Sequence, residues 1–227
     1  MSLPRPLQAV IFDMDGLLVD TETVVKDAML QQAEAMGREL PEHVFRSMIG
    51  TNHGTTEHIL TSHFGPSFSL DEFRSGWIRR YHALSAGGVV LKAGVVELID
   101  LLDARGVPRA VCTSSRHEDV ERNLIPHGLY ARFQAVVANG DYARGKPAPD
   151  PFLKAAERLE ADPPHCLALE DSHNGVRAAH AAGMMTVMVP DLLEATDEMQ
   201  ALCVRIAESL HEVRDLIAVM AGSEERT

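Results

Sequence analysis

Val10-Ile11-Phe12-Asp13-Met14-Asp15-Gly16 carries two carboxylates, two residues apart, at the end of an apolar run. The run predicts a buried strand whose C-terminal end delivers Asp13. Gly16 then frees the backbone to turn sharply. Two acids at the end of a buried strand are costly unless a cation or hydrogen bonds compensate them. A hard divalent cation such as Mg²⁺, which takes oxygen ligands, is the expected partner. The chemistry that follows is phosphoryl transfer with Asp13 as nucleophile. An isolated Asp-x-Asp-Gly reads more plainly as a strand running into a polar turn, so the weight falls on three further stretches.

Those stretches are Thr113-Ser114-Ser115, Gly145-Lys146-Pro147-Ala148-Pro149 and Glu170-Asp171. Alone, each has a plain explanation: hydroxyls that cap a helix, one solvated lysine among several, and acids favoured at a helix start. Together they supply what phosphoryl transfer asks of a protein, which is positioning and neutralisation of charge. A carboxylate that attacks phosphorus splits one hard step into two easier ones. Lys146 and Mg²⁺ would shield the attack, while Thr113, Ser114 and the backbone N–H groups after them would bind phosphoryl oxygens. Asp15 would protonate the leaving oxygen and later activate water, a role worth roughly 10²–10⁴-fold. Gly140 to Lys146 matches most of a nucleotide-binding P-loop, but Pro147 stands where that loop needs Ser or Thr. The 11 histidines form no metal-ligand spacing.

The elements that must position these groups alternate. Strands are predicted at 107–113, 134–138, 166–169 and 186–189, in addition to the first. Helices are predicted at 95–105, from 115 to about 127, at 150–159, at 174–182 and from 209 onward. Ser115-x-x-Glu118 and Ser209-x-x-Glu212 have the form of capping boxes, and Asp150-Pro151 that of an N-cap with proline at the first helical position. Strands alternating with helices predict a parallel sheet covered on both faces, with function gathered at the strands' C-terminal ends. Residues 21–88 break that rhythm. They read as helices at 21–36, 42–48, 55–64 and 70–86, with a loop at 50–54 and a Gly87-Gly88 hinge. The expectation is an α/β sheet core from residues 1–20 and 89–227, interrupted by an all-helical unit at 21–88.

Composition sets the limits. The chain has 227 residues, 45% of them hydrophobic and 24% charged, as in an ordinary globular protein. Its 33 acids against 21 Lys and Arg give a formal net charge of −12, which argues against nucleic acid or a membrane surface as partner. Cys112, Cys166 and Cys203 are widely spaced and read as free thiols of a reducing compartment. With no apolar signal region and no run long enough for a membrane span, the expected location is the cytoplasm. The oligomeric state is left open, a monomer included.

Taken together, the motif string resembles the haloacid dehalogenase-like hydrolases, and most nearly their β-phosphoglucomutase-like phosphatase branch. The residues that carry the resemblance are Val10 to Gly16, Thr113-Ser114-Ser115, Lys146-Pro147-Ala148-Pro149-Asp150 and Leu169-Glu170-Asp171-Ser172-His173-Asn174-Gly175-Val176. The resemblance implies a Rossmann-like core with an inserted helical cap that closes over the site. It implies Asp13 as nucleophile and Asp15 as acid/base. It places Mg²⁺ on Asp13, the backbone carbonyl of Asp15 and Asp171, with Glu170 near or coordinating. Thr113 and Lys146 would hold the phosphoryl group. Asp15 argues against the dehalogenase branch, which lacks that acid, and the loop at 50–54 lacks the lysine of the phosphonatase branch. Where the sugar phosphomutases carry a histidine and a cap-loop arginine, an ungapped count finds Val25 and His53. Hydrolysis of a small phosphate monoester is therefore expected over the mutase reading, and over a non-catalytic protein that only binds a phosphorylated ligand. Asn52 and His53 on the cap loop are the expected substrate readers; Arg79 and Arg80 read more plainly as a solvated helix face.

Overall fold

The computed structural model describes residues 3–49 and 53–219, with only the backbone at His53. Its six strands are β1 (Ala9–Phe12), β2 (Arg109–Cys112), β3 (Ala135–Val137), β4 (Cys166–Glu170), β5 (Met185–Met188) and β6 (Arg205–Ile206). They form one parallel sheet in the order β3-β2-β1-β4-β5-β6. This is the expected Rossmann-like α/β core. The order reverses at β1, so the crevice for a ligand opens beyond the C-terminal ends of β1 and β4.

Alternate residues of each strand serve opposite faces. Val10 and Phe12 of β1 pack with Val111, Leu167, Leu169 and Val187 against α5 (Val95–Ala104), α6 (His117–Leu124) and α10 (Leu210–Ala218). Ala9 and Ile11 pack with Ala110, Cys112 and Ala168 against α7 (Asp150–Arg158) and α8 (His173–Ala181). The second face is lined largely by alanines, which lets its two helices lie close. Cys112 and Cys166 are buried free thiols, as expected, and Cys203 is free and half-buried.

Residues 21–84 form the helices α1 (Thr21–Ala35), α2 (Glu42–Met48), α3 (His53–Phe64) and α4 (Leu70–Leu84). They share a hydrophobic cluster of their own, built on Phe45, Phe64, Phe68 and Phe73. The ring of Phe68 lies 4.4 Å from Phe64 and 5.3 Å from Phe73. Arg80 donates to the buried Gln32 at 3.1 Å, which joins α4 to α1, while Arg79 is exposed. The chain leaves and re-enters the sheet along one crossing. Val19 pairs with Leu91, Asp20 N donates to Val90 O at 2.9 Å, and Lys92 N donates to Leu18 O at 3.0 Å.

Several local expectations are corrected. Ser115 does not cap α6: the cap residue is Arg116, whose N–H donates to Asp119 at 3.3 Å, because the Ser115 hydroxyl is taken by Asp15. Asp150 is the first residue of α7 rather than its cap, and its carboxylate instead accepts two bonds from Arg144, at 3.1 and 2.9 Å. Ser209 precedes α10 without a side-chain cap bond, since Glu212 turns to Arg205 and the Glu208 N–H. The loop expected at 50–54 gives way to helix from His53, and Gly50 to Asn52 lie outside the described residues. The short β6 and α9 (Asp197–Leu202) were not anticipated. Among the described residues no helix is long and apolar enough to cross a membrane.

Candidate active site

Asp13 sits one residue beyond β1, its N–H bound to Leu169 O of β4 at 2.9 Å. Its carboxylate is buried and accepts from Lys146. The Lys146 ammonium also donates to Glu170 Oε1 at 2.6 Å and to the Cys112 carbonyl at 2.9 Å, and it stands 5.1 Å from the centre of the Phe152 ring. Its three donors thus have three acceptors drawn from the ends of β1, β2 and β4. Burial alone would lower the lysine's pKa, but Asp13 and Glu170 override it and hold the ammonium charged far above its usual range.

Glu170, the last residue of β4, is fully buried. Besides Lys146 it accepts from Ser172 N at 3.3 Å and Ser172 Oγ at 3.0 Å. The Ser172 hydroxyl meanwhile accepts from Gly175 N at 3.1 Å and caps α8. One serine therefore fixes both the buried acid and the helix that follows it. A Cβ on Gly175 would stand 1.9 Å from the Glu170 carboxyl, so only glycine leaves the acid its place.

Asp13, Glu170 and Asp171 each bring a carboxylate oxygen within 4.8 Å of the others. Three acids share one ammonium in a buried crevice. Burial first, and then the charges of Glu170 and Asp15, push the Asp13 carboxyl up to about 8 against the pull of Lys146. Burial, Asp13 and Glu170 likewise raise Asp171 well above the carboxylate range. This is negative charge that a further cation would relieve, and the donor set is all carboxylate oxygen, as a hard divalent ion prefers. Gly16, at φ +82°, leaves the Asp171 carboxylate its place: a Cβ there would lie 2.5 Å from Asp171 Oδ2. The residues present thus fit Mg²⁺.

Asp15 lies outside that group. Its Oδ2 accepts from Ser115 Oγ at 2.7 Å and Thr113 Oγ1 at 3.2 Å. Thr113 Oγ1 in turn accepts from Ser115 N at 3.0 Å. The hydroxyl cluster after β2, expected to meet phosphate, holds the second acid. Ser115, which holds Asp15, is the site residue that sequence reasoning read as a helix cap, because its spacing has the capping-box form. Ser114 is exposed and lines the cavity. That cavity, about 400 Å³, brings together Asp13, Asp15, Thr113, Ser114, Lys146 and Asp171. Glu170 lies beneath it. Asn52 falls outside the described residues, and His53 is described only as the first residue of α3. The stretch from Gly140 to Lys146 is no phosphate cradle. Asp141 accepts from Ala138 N at 3.0 Å and from Arg158 and His117 at 2.9 Å each, which anchors the loop that carries Lys146.

Residues 10–189 match the family model described as haloacid dehalogenase-like hydrolase. The chain belongs to this family. Among its relatives, protein CbbY of Rhodobacter capsulatus is 32% identical over 214 residues, covering 89% of this chain and 93% of that protein. The bifunctional riboflavin kinase/FMN phosphatase of Arabidopsis thaliana is 32% identical over 198 residues, covering 86% of this chain, which spans 52% of that longer protein. A haloacid dehalogenase-family hydrolase of Deinococcus radiodurans R1, solved with bound phosphate and sodium, superposes with a TM-score of 0.80 at 27% identity over 94% of this chain and 96% of its own. A Thermotoga maritima protein provisionally described as a β-phosphoglucomutase gives the same TM-score and identity over 95% of this chain and 99% of its own. The haloacid dehalogenase-like assignment and its β-phosphoglucomutase-like neighbourhood therefore agree with the motif string.

Proposed function

We propose that this haloacid dehalogenase-like hydrolase is a Mg²⁺-dependent phosphatase of a small phosphorylated metabolite, acting through an aspartyl-phosphate on Asp13. The observation that carries the proposal is the convergence of Asp13, Lys146, Glu170 and Asp171, with Asp15 held beside them by Ser115 and Thr113. A phosphoric monoester hydrolase is also what the relative named as a phosphatase supports.

An Asp13 carboxylate oxygen attacks phosphorus as the bond to the leaving oxygen breaks. Asp15 gives its proton to that oxygen. It then takes a proton from the water that attacks the phosphorus, so that Asp13 is regenerated and phosphate leaves. Ser115 and Thr113 fix the Asp15 carboxylate where both transfers need it. Lys146 neutralises Asp13 and the incoming phosphoryl oxygens, and Glu170 holds Lys146. Asp13, Asp171 and the Asp15 carbonyl, with Glu170 beneath, would hold Mg²⁺, which supplies charge neutralisation of the phosphoryl group and keeps the carboxylates ionised. We assign the 21–84 helices the role of a cap that excludes bulk water. By the ungapped count from the first motif, Val25 stands where the mutases carry histidine; it is apolar and lines the cavities beside α1, and this favours hydrolysis over isomerisation.

Phosphate release from p-nitrophenyl phosphate tests the proposal. Asp13→Asn and chelation of divalent cations should each reduce release to background, and Mg²⁺ should restore the chelated protein. Release by Asp13→Asn at the wild-type rate would overturn it.

A further inference from the structure

A second cavity, about 560 Å³, continues from Asp15 between α1, α4 and the start of α6. Asp15 and Glu22 line both it and the cavity that holds Asp13; Asp13 and Lys146 line only the latter. An oxygen protonated by Asp15 as it leaves phosphorus must carry the rest of its molecule into this space. Glu22, in the first turn of α1, also lines the apolar cavity within the helical unit, so it stands where all three spaces meet. Among the described residues its carboxylate makes no hydrogen bond or ion pair.

Thr21 gives the independent observation. The residue is only 4% exposed, lines the second cavity, and leaves Oγ1 without a hydrogen-bond partner. A buried hydroxyl without a partner beside a half-buried carboxylate that accepts no protein hydrogen bond suits a ligand that brings hydroxyl groups. Trp77 and Tyr81, one turn apart on α4, supply flat apolar faces for its carbon skeleton. The charges decide what else the ligand carries. Asp15, Glu22, Glu118 and Asp119 line the cavity against Arg116 and Arg122, and Arg122 is already paired with Asp119 at 2.6 Å. Burial first, and then the charges of Asp15, Asp191 and Asp20, raise the Glu22 carboxyl.

We infer that Glu22 is a specificity-determining residue: it accepts hydroxyls of a neutral leaving group and repels a second anionic group on the substrate. The inference rests on the phosphatase reading for the placement of the leaving group. It makes the substrate a monophosphate of a hydroxyl-bearing molecule, and it excludes bisphosphates and phosphorylated acids.

The test compares matched substrates that differ by one anion: glucose 6-phosphate against 6-phosphogluconate, and fructose 6-phosphate against fructose 1,6-bisphosphate. The wild type should show the higher kcat/KM for the member of each pair whose leaving group is neutral. Glu22→Gln keeps the size and removes the charge, so the preference should shrink about tenfold, mainly through KM of the anionic member. Glu22→Ala should shrink it as well and raise KM for the neutral member through the lost hydroxyl acceptor. An unchanged ratio in both variants, or a wild-type preference for the anionic members, would overturn the inference. The same ratios read as dissociation constants in an Asp13→Asn background, by calorimetry, need no turnover. Discrimination lost there with Glu22 while phosphate release fails everywhere would sink the phosphatase reading alone. Ribose 5-phosphate against a nucleoside 5′-monophosphate then distinguishes a bare polyol from a nucleoside, and preference for either over the anionic substrates supports the role of Glu22.

Discussion

Replacing glycine by alanine near the start of a helix ordinarily stabilises a protein, and Gly175→Ala should do the opposite. Gly175 lies in the first turn of α8, and helix propensity alone favours alanine there by up to about 1 kcal/mol. The new Cβ, however, would stand 1.9 Å from the Glu170 carboxyl, far inside contact distance, and Glu170 is fully buried and tied to Lys146 and Ser172. Displacing the acid breaks its 2.6 Å bond to Lys146 and both bonds to Ser172. Breaking a buried ion pair costs about 3–5 kcal/mol. The net loss is then about 2–4 kcal/mol, and Tm should fall by roughly 4–16 °C for a chain of this size. Phosphate release should fall with it, because Lys146 loses the partner that fixes it beside Asp13. Urea and thermal melts measure the first effect and steady-state kinetics the second. Gly87→Ala is the control: no atom lies within 4 Å of its Cβ, so it should be neutral or stabilise by up to about 1 kcal/mol. A Gly175→Ala protein as stable as the wild type would refute the steric argument and the support role given to Glu170.

Ser115→Ala removes the shorter of the two hydroxyl bonds to Asp15, so kcat should fall about 10–100-fold at nearly unchanged stability. A helix-capping role alone would instead lower Tm and spare kcat. For Asp141, burial opposes ionisation, but Arg158, the Ala138 N–H and His117 outweigh it and hold the carboxyl down at about 2. A depressed folded-state pKa gives stability that is fully present above the unfolded value of 3.8 and is lost as pH falls through about 2. Asp141→Asn should therefore cost about 2 kcal/mol at pH 7 and progressively less between pH 4 and about 2. Parallel stability curves for mutant and wild type across that window would contradict it.

The sequence alone determined the sheet and the edge on which function gathers. Runs such as Val10 to Phe12 and Cys166 to Leu169 are apolar on both parities, which only a strand buried on both faces requires, and each ends in acid. Strand ends alternating with helices put Asp13, Thr113, Lys146 and Asp171 at one edge. The features left unread were short or shared. Two-residue β6 has no period to detect, and α9 is less than two turns.

Tertiary structure decided which partner each polar group takes. Ser115 had local spacing that promised a helix cap, and it bonds elsewhere, because the Asp15 carboxylate, a hundred residues away in sequence, is brought in by the fold and binds its hydroxyl more strongly than a local N–H. Glu22 carried no signal in its own stretch. Its meaning comes from where α1 meets α4 and α6, and from the charge of Asp15, Asp20 and Asp191 around it. Periodicity reports which face of an element is buried, but it does not report which unsatisfied groups will face each other across a crevice, and that pairing is set by packing.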